Sequence, residues 1–130
     1  MKRTVLSLLG LMMLVLSLGA IPVLAQGRVV FDISFEFNAG GSKLPAGRYE
    51  IMIDRQAANV ISIRNLENGK SIVTHYITRL GPREIEKPEI IFDKDGDQAY
   101  LAEIHIPKID GYHLKGAPGK HSHVSVMGSK

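Results

Sequence analysis

The chain has 130 residues, with 16 Lys and Arg against 13 Asp and Glu, and it contains neither cysteine nor tryptophan. The missing cysteines exclude a disulfide framework, a zinc–thiolate site and a cysteine nucleophile. Setting Lys2 and Arg3 aside, basic and acidic residues nearly balance, so no charge excess argues for a nucleic-acid partner.

Lys2 and Arg3 precede an apolar run over 5–18 that only Ser7, Gly10 and Ser17 interrupt, and Pro22 and Val23-Leu24-Ala25 follow. A short positive start, an apolar centre and small or branched residues at −3 and −1 predict a secretory signal peptide over 1–25, cleaved after Ala25. The rival is an uncleaved anchor, but a spanning helix needs roughly 20 apolar residues, and this run reaches that only by including Gly19 and Pro22. The expectation is therefore an exported protein, periplasmic or extracellular, whose 26–130 portion forms one domain with no transmembrane segment.

The strands follow in order. Over 28–37, Val29, Phe31, Ile33, Phe35 and Phe37 share one parity while Asp32, Ser34 and Glu36 take the other. Alternation of period two puts the Phe rings on one buried face of a single predicted strand. Residues 38–43 read as a loop. Leu44-Pro45-Ala46-Gly47 is a turn, because Pro45 fixes φ and Gly47 tolerates positive φ. Strands are predicted over 48–54, 60–65 and 71–78. Asn68-Gly69 signals a two-residue hairpin turn, which would set Ile61 opposite Tyr76 and Ile63 opposite Thr74.

The stretch 79–88, with Gly81-Pro82 and Lys87-Pro88, is a connection. Strands are predicted over 89–93 and 97–106. Residues 108–130 form an irregular tail rich in Gly and Pro, with a further edge strand over 121–127. Six or seven strands at turn spacings of about 10 residues predict an all-β fold, a small antiparallel β-sandwich or partly open β-barrel.

Asp93, Asp95 and Asp97 invite a calcium reading. An EF-hand loop beginning at Asp93 requires Gly at position 6 and Glu at position 12, but the chain has Gln98 and Ile104 there. Read as a hairpin, the stretch closes with a three-residue loop, Lys94-Asp95-Gly96, which sets Ile90 opposite Tyr100 and Phe92 opposite Gln98. This register gathers Ile90, Phe92, Tyr100, Ala102, Ile104 and Ile106 on one face. It also makes Asp93 and Asp97 face each other, a repulsive pair that a weakly held cation would relieve.

Candidate metal ligands are thus Asp93 and Asp97 at the tip, and His121 and His123 in the tail. His-x-His on a strand puts both rings on one face, and imidazole suits zinc, copper and nickel. Two ligands do not complete a site, and His105 or His113 could join only if the tail folded back. By parity His105 lies beside Glu103 on the polar face of its strand. No catalytic motif emerges: G-x-S-x-G is absent, and the glycine pairs do not open helices that would cradle phosphate. No cofactor is implied.

Leu44-Pro45-Ala46-Gly47-Arg48-Tyr49-Glu50 after a Phe-rich strand resembles an element of short exported bacterial β-rich proteins of uncharacterised function. Ile63-Arg64-Asn65, Phe92 with Gly96, Tyr100-Leu101 with Ile104, and Asp110-Gly111 are similar to the same pattern. The resemblance implies a small antiparallel β fold and export, and no reaction. The expected function is a non-enzymatic binding or cell-envelope-associated domain. The alternatives are a small barrel taking an apolar ligand between the Phe rings, or a metal-binding protein using His121 and His123. Open sheet edges would allow self-association.

Overall fold

The computed structural model describes residues 28–54 and 59–129; the signal peptide expected over 1–25 lies outside them. Eleven strands form two sheets and, among the described residues, there is no helix. They are β1 (Arg28–Ile33), β2 (Phe37–Ala39), β3 (Ser42–Leu44), β4 (Gly47–Asp54), β5 (Val60–Asn65), β6 (Ser71–His75), β7 (Thr78–Leu80), β8 (Glu89–Asp95), β9 (Gln98–His105), β10 (Gly111–His113) and β11 (Ser122–Met127). The first sheet runs β1-β4-β5-β6 and the second β11-β8-β9-β10-β7, with β2 on the edge of β9 and β3 on β2. Pairing is antiparallel except between β2 and β9. The architecture is a β-sandwich, not a closed barrel, and no described helix is long and apolar enough to cross a membrane.

The core lies between the sheets and takes the alternate residues that period two assigns to it. Val29, Phe31 and Ile33 of β1, Tyr49, Ile51 and Ile53 of β4, and Ile61 and Ile63 of β5 are buried from one side. Phe37, Ile90, Phe92, Leu101 and Ile104 meet them from the other. The ring of Phe37 meets Tyr49 edge to face across the sheets at 5.2 Å, and Phe92 at 5.4 Å. Such edge-to-face pairs contribute about 0.5–1.5 kcal/mol beyond the area they bury.

Several expectations require correction. The strand predicted over 28–37 is interrupted at Ser34, Phe35 and Glu36, where the chain leaves the first sheet as β1 and enters the second as β2. The alternation survives the crossing because both segments face the same core. The predicted loop over 38–43 is a hairpin, with Gly40 and Gly41 both at positive φ (57° and 76°), the signature of a type I′ turn.

At Asn68-Gly69 the register differs by two from the predicted one: Ile61 faces Thr74, and Ile63 faces Ile72. The cause is buried Asn65, whose Oδ1 accepts the Glu67 and Asn68 amides and widens the turn to four residues. A shift of two preserves parity, so the same side chains remain inside.

The β8–β9 hairpin departs further. Its turn is Gly96-Asp97, closed by Asp95 opposite Gln98, with positive φ at Gly96 alone of the two (59°), the type II′ pattern. Asp93 faces Tyr100 rather than Asp97, and Phe92 faces Leu101. A β-bulge then inserts Ala102 between the partners of Phe92 and Ile91, so Ile90 faces Ile104. The extra residue reverses parity within β9. Ala99 and Leu101 enter the core, while Tyr100 falls on the outer face and is only half-buried.

Candidate metal centre

The site is assembled on the outer face of the second sheet by a crossover. After β10 the chain pairs once more with β9, the Leu114 amide donating to the Ala102 carbonyl (2.7 Å). Residues 115–120 then carry it over β9 and β8 to the far edge, where it returns as β11 against β8. Gly116 is what permits so close a crossing: a Cβ there would overlap Asp93 Oδ2 and meet the Ala102 Cβ at 3.2 Å. The Gly- and Pro-rich tail is thus a fitted strap, with β10 at its near end.

Under the strap Asp93 is 5% exposed. A buried carboxylate is costly unless it is hydrogen-bonded and paired. Here Oδ2 accepts the Ala117 amide (3.1 Å). Oδ1 faces two imidazoles, His123 Nδ1 at 3.0 Å and His121 Nε2 at 3.4 Å. Register explains the meeting, because His123 is the direct cross-strand partner of Asp93. His121 lies two residues earlier, so period two gives it the same side of the chain. The two rings stand edge to face, 5.0 Å apart.

The tautomer of His121 follows from its other nitrogen. Nδ1 lies 2.8 Å from the Gly119 carbonyl oxygen, which can only accept, so Nδ1 carries the hydrogen. In the neutral ring Nε2 then presents a lone pair. That lone pair faces Asp93 Oδ1, an acceptor. Two acceptors in this arrangement attract only through a cation between them, a proton or a metal ion. Backbone support of the ring's second nitrogen is also the usual way of orienting a metal-ligating histidine.

One atom from each of Asp93, His121 and His123 lies within 4.8 Å of the others. Two ligands each about 2.0–2.1 Å from a tetrahedral ion would sit roughly 3.3 Å apart. The two separations from Oδ1, 3.0 and 3.4 Å, are near that spacing, and the third, between the imidazole nitrogens, is within 4.8 Å. His123 is exposed, with 64% of its side chain accessible, so an ion held there would remain open to solvent on its outward side.

Of the four residues proposed from sequence as metal ligands, three converge and one does not. Asp97 sits exposed in the hairpin turn and does not belong to the group. The repulsive Asp93–Asp97 pair is absent, because the actual register separates them. The tail does fold back, but neither His105 nor His113 joins the group. His105 lies beside Glu103 as parity required, with Nε2 2.8 Å from Glu103 Oε2, yet it is 3% exposed instead of solvated. Gly111 of β10 lies against it, where a Cβ would meet its Nδ1 at 2.6 Å. The supporting roles of Ala117 and Gly119 escaped sequence reading, since both act through backbone atoms. The glycines at 116 and 119 were their only trace.

The chain matches no known family model, no curated protein and no solved structure.

Proposed function

We propose that this chain is an exported, non-enzymatic β-sandwich domain that binds a divalent transition-metal ion through Asp93, His121 and His123. The observation that carries the reading is the buried Asp93 carboxylate, whose Oδ1 faces His121 Nε2 at 3.4 Å and His123 Nδ1 at 3.0 Å. Two imidazoles and one carboxylate suit Zn(II), Cu(II) or Ni(II). They suit calcium and magnesium poorly, because those ions prefer all-oxygen shells of six or more ligands. The absence of thiolate from the chain argues against Cu(I) as the preferred ion. Export is supported by the signal-like pattern over 1–25, and a binding role by the lack of nucleophile motifs in the sequence.

Titration of the purified protein with Zn(II) and with Cu(II) tests the reading. One ion should bind per chain, and the His121→Ala/His123→Ala double variant should lose it while retaining the β-sheet circular dichroism of the parent. Equal affinity in parent and double variant would sink the proposal. Mass spectrometry of the protein secreted from a bacterial host checks export independently, through the expected new terminus at Gln26.

A further inference from the structure

Building on that metal reading, we propose that the ion is a clasp: its binding locks the strap over 115–120 and strand β11 onto β8, and metal-free protein releases them by local opening. β11 buries little of its own surface, although Val126 packs against the core and Ser125 Oγ donates to Glu89 Oε1 at 3.2 Å. None of its six residues is buried; Val124 and Val126 are half-buried and the rest are exposed. Its neighbour β8 buries Ile90, Phe92 and Asp93. A strand that buries so little apolar area relies on its backbone ladder, and such elements open at a lower free energy than the core.

The two ends of β11 are pinned differently. At its far end the chain is fitted to the first sheet. Ser129 and Val30 exchange backbone hydrogen bonds at 2.9 Å, and the Gly128 amide donates to the Pro88 carbonyl (2.7 Å). Gly128 itself lies against Phe31, whose ring a Cβ there would meet at 2.5 Å. At its near end the chain is held by the Asp93 cluster. His121, His123 and the Ala117 amide all converge on that one carboxylate. An ion shared by Asp93 and the two histidines would therefore cross-link β8 to β11 where apolar packing is least. The strap would be fixed with them, because it donates Ala117 N–H to Asp93 and accepts from His121 at Gly119. Any opening that lifts β11 must break the site, so ligand binding suppresses that opening by mass action.

Hydrogen exchange by mass spectrometry, with and without Zn(II), tests the clasp, with Zn(II) binding measured on the same sample. At a free Zn(II) concentration 100 times the dissociation constant, the opening that breaks the site falls about 100-fold. Peptides covering 115–127 should slow by that factor, and by more than peptides from β4 and β5. Bound Zn(II) with no gain, or with an equal gain in β4 and β5, would overturn the clasp and leave the metal site standing. Absence of Zn(II) binding would overturn both. A second variant reads the coupling from the other side. Gly116→Ala touches no ligand atom of the rings, but it forces the strap off Asp93. It should weaken Zn(II) binding at least tenfold while β4 and β5 keep their protection. Unchanged affinity in this variant, with β4 and β5 protected, would show that strap and site are uncoupled and would also overturn the clasp.

Discussion

Asp93 Oδ1 lies 3.0 Å from His123 Nδ1, and the two residues are direct cross-strand partners of β8 and β11. Sequence separates them by thirty positions, and the ladder makes them neighbours. A cross-strand pair on one face has Cβ atoms about 4.5–5.5 Å apart, close enough for two short ligating side chains to share an ion. The same geometry separates the roles of the two aspartates once paired as candidates.

Asp93→Asn should therefore reduce Zn(II) affinity by more than the roughly 10–100-fold that follows loss of a ligand's supporting partner. The fold should persist, because an amide oxygen can still accept the Ala117 N–H. Asp97→Asn, in the exposed turn, should leave affinity unchanged. Competition against a chromophoric chelator measures both. An Asp97 effect equal to that of Asp93 would contradict the assignment.

The Gly40-Gly41 turn offers a contrast between adjacent positions. Both residues have positive φ, but a Cβ at Gly40 would meet Thr74 Cβ at 2.9 Å, whereas one at Gly41 meets nothing within 4 Å. Gly40→Ala should lose about 1–2 kcal/mol from the left-handed backbone alone, and more from displacing Thr74. Gly41→Asn, a residue that tolerates this conformation, should stay within about 0.5 kcal/mol of the parent. Urea denaturation of the two variants would reveal the asymmetry, and equal midpoints would argue against this turn.

Glu103 holds the ring of buried His105 through Nε2 at 2.8 Å, while His105 Nδ1 has no hydrogen-bond partner among the described residues. Removing the carboxylate with Glu103→Ala leaves a second buried ring nitrogen unsatisfied, at a cost of about 1–3 kcal/mol. Glu103→Gln keeps an acceptor for Nε2–H and should cost less. Zn(II) affinity should be the same in both, since neither residue belongs to the metal group. Thermal denaturation alongside metal titration separates the two effects.

How much of this was legible in the sequence varied with the kind of signal. Parity was reliable in the strands that run without a bulge. Phe31, Phe37, Tyr49, Ile51, Ile61, Ile63 and Phe92 are inside as their alternation required, because exposing that row would cost each strand its apolar burial. His121 and His123 stood out because a two-residue spacing on a strand puts both rings on one side. Register was less legible. Around Asn65 a side chain capped its own turn, and in β9 the bulge at Ala102 reversed the face of Tyr100. A bulge adds one residue without altering composition, so no count of apolar positions reveals it.

Local alternation and turn chemistry thus determined that the described chain would be all-β, which side chains of β1, β4 and β5 would face the core, and that two histidines would share a face. Only the tertiary structure decided what those histidines would meet. The strap carries the chain across the second sheet and lays β11 beside β8, placing His123 opposite Asp93. Such a meeting depends on strand order, a long-range property of the whole sandwich. The spacing of two residues can set a direction for side chains, but it cannot name the strand that will lie alongside.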